Sequence, residues 1–135
     1  MTTYAPRHVD IWPWTQAKSQ TNWNSRVQAS GDLGLGRLYG GAATSTVTWS
    51  VALDAGTWTL TVIYRSSTSG DTAVAVTLGG SSVATINMSG GNTSNLVSTT
   101  TGIVVASPGV YDLTFTQSAA KDASLHLITL TRTGA

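Results

Sequence analysis

The sequence predicts an all-β protein: a jelly-roll-like β-sandwich of about eight or nine antiparallel strands with an extended N-terminal segment. Three observations predict it. Apolar residues alternate with Thr and Ser through most of the chain after Thr46, and side chains on a strand alternate between faces. Turn residues recur about every eight to twelve positions, the spacing of short strands in a sandwich. Thr and Ser together supply 39 of the 135 residues (23 and 16), and Glu is absent, a composition that suits half-buried strands better than helices.

The strongest alternation runs from Thr46 to Tyr64. Val47, Trp49, Val51 and Leu53 share one face, and Trp58, Leu60, Val62 and Tyr64 share another. Asp54-Ala55-Gly56 separates the two runs with turn chemistry, which predicts a hairpin of two antiparallel strands. Further on, Val74, Val76 and Leu78 are answered by Ala84, Ile86 and Met88 across Gly79-Gly80-Ser81-Ser82, a second hairpin. Leu96 to Ala106 holds one or two strands and ends at Ser107-Pro108-Gly109. Val110 to Gln117 alternates through Tyr111, Leu113 and Phe115, and Leu125 to Thr133 closes the chain. An internal echo links two of these regions: VALDAGTWTLTV, from Val51 to Val62, aligns without gaps on VVASPGVYDLTF, from Val104 to Phe115. Each copy sends an aromatic residue and a Leu to one face.

Residues 1–45 differ in character. They hold Trp12, Trp14 and Trp23, four of the seven cations and two of the six acids. Pro13 between two indoles excludes a central strand and favours an extended edge or arm. A short strand is expected around Arg26 to Ala29, and GDLGLGRLYGG, with five Gly in eleven residues, suits a bulged strand or a loop. These features divide the chain into an N-terminal arm or edge segment (1–30) and a sandwich domain (31–135).

Charge narrows the function classes. The net charge is +1, and forty consecutive residues between Asp71 and Asp112 carry no charge. Neither nucleic acid nor a membrane surface is an expected partner. No apolar run approaches the ~20 residues of a membrane span, and the first residues lack the pattern of a signal peptide. Without Cys there is no disulfide, thiolate metal site or cysteine nucleophile. The six Asp are scattered, and the two histidines, His8 and His126, stand far apart, so no catalytic residue, metal site or cofactor is expected. His126, inside an alternating strand, reads as a surface or packing residue.

The run from Val47 to Arg65 resembles the galactose-binding-like β-sandwiches, especially carbohydrate-binding modules of families six and thirty-five. Val47, Trp49, Val51, Leu53, Gly56, Trp58, Leu60 and Val62 follow the spacing of those modules, with Tyr64-Arg65 where they often have Arg-Tyr. TAVAVTLGGSSVATINM, SPGVYDLTF and SLHLITLT look like their later strands, so the resemblance spans about Leu38 to Leu130. It implies a sugar held between two loop aromatics beside an Asn or Asp. One of those aromatics follows a Gly-Gly stretch, which here is SGGNTSNLVSTT and contains none. Lys121, Asp122 and Ser124 match the polar position before the last strand only loosely. The early Glu that often binds calcium has no counterpart.

Two functional readings follow. The first is a non-enzymatic structural module of a virion: a capsid decoration protein, head fibre or tail-associated subunit of a bacteriophage. It would dock through its aromatic N-terminal segment on particle proteins or on symmetry-related copies in a small ring. The alternative is a carbohydrate-binding module or receptor-binding domain for a polysaccharide, secreted or at a cell surface. Both draw on the same candidates for partner binding or sugar stacking: Trp12, Trp14, Trp23, Arg26 and Tyr39. The tryptophans can stack on pyranose rings, anchor an interface or cap the domain's own core.

Overall fold

The computed structural model describes residues 7–13, 17–21, 23–26, 37–40, 45–65, 73–88, 93, 96–117 and 123–135, with only the backbone at 20, 21, 23–26, 37–40, 45 and 123. Among the described residues eleven strands form: β1 (His8–Ile11), β2 (Ser19–Thr21), β3 (Trp23–Arg26), β4 (Arg37–Gly40), β5 (Ser45–Leu53), β6 (Gly56–Arg65), β7 (Ala73–Leu78), β8 (Ser81–Asn87), β9 (Leu96–Val105), β10 (Gly109–Gln117) and β11 (Ala123–Gly134). They make two antiparallel sheets. One runs β3-β4-β11-β6-β9, with β1 also on β11; the other runs β2-β5-β10-β7-β8. This is the all-β sandwich expected. The seven longer strands are those the alternation marks, and residues 8–40 add four short ones.

The core lies between the sheets. It takes Val47, Trp49, Val51 and Leu53 from β5, Leu113 and Phe115 from β10, and Val74, Val76 and Leu78 from β7. The facing sheet contributes Trp58, Leu60, Val62 and Tyr64 from β6, with Ile128 and Leu130 from β11. Trp49 and Phe115 meet edge to face, with ring centroids 5.6 Å apart and planes at 83°, an arrangement that aromatic quadrupoles favour.

One expectation is corrected. β5 and β6 are not a hairpin, because they lie in different sheets: β5 pairs with β2 and β10, β6 with β11 and β9. Asp54-Ala55 is an arch that carries the chain across the core. Burying the same alternate residues is compatible with either arrangement, and the backbone hydrogen bonds decide between them. The β9–β10 turn at Ala106-Ser107-Pro108 is a second arch, running the other way.

The two arches are the two copies of the internal echo. Gly56, the first residue of β6, lies opposite Val105, the last of β9; Gly109, the first of β10, lies opposite Leu53, the last of β5. The aromatic of each copy makes the same clasp. Trp58 Nε1 donates to the Asp54 carbonyl at 3.1 Å, and the Tyr111 hydroxyl donates to the Ser107 carbonyl, in both cases four residues back. The repeat therefore encodes one local device used twice.

The β7–β8 hairpin is confirmed. Gly79 and Gly80 have φ of 58° and 84°, positive at both central positions, as a type I′ turn requires. In β11 the register shifts between Leu125 and Leu127, and the irregularity buries three consecutive side chains, Ser124, Leu125 and His126. His126 is thus a fully buried residue.

Candidate functional site

The register gathers four of the connections at one end of the sandwich. Ser45 faces Gln117, Gln117 faces Val74, and Ala73 faces Asn87. In the other sheet Gly40 faces Ala123, Ser124 faces Arg65, and Tyr64 faces Leu96. The connections 41–44, 66–72, 88–95 and 118–122 all depart from these strand ends. At the opposite end are the two arches and the Gly79-Gly80 turn. Loops collected on a rigid scaffold are the usual carriers of binding residues.

Three of the five sequence candidates lie on β3 and β4, Trp23 and Tyr39 towards that end and Arg26 at the other end of the pair. Trp23 begins β3 opposite Gly40, Tyr39 lies opposite both Asn24 and Ser124, and Arg26 lies opposite Arg37. Their backbones share two neighbouring strands at the edge of the first sheet, although fifteen residues of sequence separate Trp23 from Tyr39. Trp12 approaches from another direction. β1 pairs with Ile128 to Thr131 and β4 with Ala123 to Leu125, along the same side of β11. The chain therefore leaves Ile11 heading towards β4, and Trp12 follows with 38% of its surface exposed. Trp14 lies outside the described residues, as do Lys121, Asp122 and all of SGGNTSN except Thr93.

Beneath the loop-bearing end sit buried polar side chains. Gln117, Ser124 and His126 are completely buried where β10 ends and β11 begins. For Gln117 a signal existed: it continues the buried parity of Leu113 and Phe115. For Ser124 and His126 there was none, because the bulge at 125–127 breaks the alternation.

The described charges away from this end are mostly ordinary surface pairs. Lys18 Nζ contacts both Asp112 oxygens at 3.0 and 3.1 Å, and His8 Nε2 lies 2.8 Å from Asp10 Oδ1. Among the described residues, no three His, Cys, Asp or Glu side chains are grouped to hold a metal ion.

No protein-family model matches the chain, and no curated protein matches it in sequence. Solved structures do match in shape. A family 35 carbohydrate-binding module from Clostridium thermocellum superposes with a TM-score of 0.73 at 16% identity, covering 93% of this chain and 98% of that one. The C-terminal family 6 module of a laminarinase from Zobellia galactanivorans gives 0.70 at 13% identity, covering 93% and 99%. The family 6 module of Cellvibrio mixtus lichenase 5A, in complex with cellotriose, gives 0.69 at 15% identity, covering 93% and 97%. The chain shares the fold of these modules. That is the fold the resemblance implied.

Proposed function

We propose that this chain is a non-catalytic carbohydrate-binding module that takes a polysaccharide at its loop-bearing end, beside the β3–β4 edge. The observation that carries the reading is the superposition of nearly the whole chain on modules of its own length, at a TM-score up to 0.73 among those named above. One of those modules holds cellotriose, so a cello-oligosaccharide is the first ligand to try. Trp23 and Tyr39 lie on neighbouring strands next to the loops, one step out of register and so on opposite faces of the sheet, which makes them two separate candidate contacts and not one platform. Aromatic side chains of this kind offer an apolar face and a polar tip, which suits a pyranose ring and its hydroxyls. Such a module acts where polysaccharide is met, secreted or at a cell surface. The reading assigns no turnover: His126 is buried, and His8 is engaged with Asp10.

The test is a glycan array followed by calorimetry with the best ligand. Trp23→Ala and Tyr39→Ala are each expected to weaken binding by about tenfold or more, the scale of one lost stacking contact, while circular dichroism stays unchanged. If no glycan is retained, or if both folded variants bind like the parent, the proposal fails. Binding lost only in Trp12→Ala would relocate the site to the end of β1.

A further inference from the structure

At the end of the sandwich opposite the loops, Arg7, Arg132, Thr133, Gly134 and Ala135 line a cleft of about 160 Å³. Its two cations are held side by side by the backbone. His8 is opposite Thr131 in the β1–β11 ladder, and the Arg132 amide donates to the Arg7 carbonyl at 2.9 Å, so the ladder places Arg7 across from Arg132. Like charges directly opposite one another on neighbouring strands destabilise a sheet. Two other described cations have acids: Lys18 has Asp112, and His8 has Asp10. Neither Arg7 nor Arg132 has an acidic partner among the described residues.

The Arg132 guanidinium is also built into place. On its other side Arg132 is opposite Trp58 of β6, in the row that faces the core. A Cβ at Gly56 would come within 2.5 Å of Arg132 Nε, 3.2 Å of Nη2 and 2.4 Å of the Gly134 carbonyl. The guanidinium therefore occupies the space that a side chain at position 56 would take. Its Nε is buried and makes no hydrogen bond, which costs stability unless the cation is compensated elsewhere. Arg7, by contrast, is exposed at the mouth of the cleft. One anchored and one open guanidinium converge on a small concavity lined by no Asp or Glu side chain, a setting that suits an anion. The planar fork of arginine matches the oxygens of a carboxylate or sulfate.

We propose that the Arg7–Arg132 cleft is an oxyanion-binding site, separate from the loop-bearing end, that takes a carboxylate or sulfate group. The group arrives either on an acidic saccharide or as a free inorganic anion. The test titrates the 15N-labelled full chain with sodium sulfate, sodium glucuronate and a sulfated disaccharide, with ionic strength held constant by chloride. Arginine Nε–Hε signals and the Thr133 and Gly134 amides report the site. Saturable shifts are expected with sulfate and none with chloride alone. Arg7→Gln, an exposed position whose loss leaves the core intact, is expected to weaken binding about tenfold, the scale of one charged hydrogen bond. A saccharide-borne anion that binds at least tenfold tighter than sulfate identifies the acidic glycan as the source. Equal affinities identify the free anion. Shifts that never saturate, or an Arg7→Gln variant that titrates like the parent, overturn the proposal. The cello-oligosaccharide assay reads Trp23 and Tyr39 instead, so the two proposals fail independently.

Discussion

Trp58 and Tyr111 close the two arches by donating to carbonyls four residues earlier, and the two clasps differ in what else the aromatic does. Tyr111 is only partly buried, so Tyr111→Phe removes a hydroxyl and little packing. A loss of about 1 kcal/mol is expected from urea denaturation, the net worth of an ordinary hydrogen bond. Trp58 is fully buried. Trp58→Phe also leaves a void, and the expected cost rises to roughly 2–4 kcal/mol. Equal costs for the two variants would mean that the clasp, and not the packing, dominates at both arches. Gly56 is constrained from two directions. Its φ of 146° lies where other residues are strained, and its missing Cβ leaves the space taken by Arg132 and the Gly134 carbonyl. Gly56→Ala is expected to cost roughly 2 kcal/mol or more and to disturb the Arg132 Nε–Hε signal, linking the arch to the proposed anion cleft.

Among the elements, the β7–β8 hairpin allows backbone strain to be separated from contact. Gly79 and Gly80 both have positive φ, but a Cβ at Gly80 meets nothing, whereas one at Gly79 comes within 3.0 Å of Tyr111 Cδ1. Gly80→Ala is expected to cost roughly 1–2 kcal/mol from strain alone, and Gly79→Ala measurably more; the reverse order would contradict the packing of Tyr111 against this turn. This hairpin was legible in the sequence because two adjacent glycines are the chemistry of a type I′ turn. The Asp54-Ala55-Gly56 turn was misread as a hairpin for a physical reason. Alternation reports which face of a strand is buried, and a strand paired in the same sheet buries the same residues as one facing it across the core. The clue was the echo: an aromatic two residues after the Gly in both copies marks the same arch twice. The candidate site was legible by residue type but not by position. β3 and β4 have four residues each, and two residues per face are too few for alternation to register, so nothing in the sequence placed Trp23 beside Tyr39. The Arg cleft was hidden similarly, since only the β1–β11 ladder brings position 7 to position 132.

For the whole molecule, the open question is whether the N-terminal segment is an attachment or a structural part. Two described strands in it are laced into both sheets: β1 pairs with β11 in one, and β2 with β5 in the other, where the Lys18 amide also donates to the Thr48 carbonyl at 2.7 Å. Ile11 is buried in the shared core, and the Lys18–Asp112 ion pair ties the start of β2 to β10. The exposed ion pair adds little, so most of the segment's contribution is expected from Ile11 and the two ladders. Deleting residues 1–21 removes that burial and leaves stretches of β5 and β11 without partners. A loss of roughly 3 kcal/mol is expected from these terms, which lowers Tm by about 10 °C in a domain of this size. Bare strand edges also template pairing with other copies. Sedimentation velocity should therefore show concentration-dependent association of the truncated chain where the full chain shows none. If residues 22–135 instead melt like the full chain and sediment unchanged, the first 21 residues are an appended arm. The expected result makes the segment an edge of the sandwich. It would then also hold Arg7 against Arg132, so the truncated chain should lose sulfate binding while keeping any glycan binding that depends on Trp23 and Tyr39.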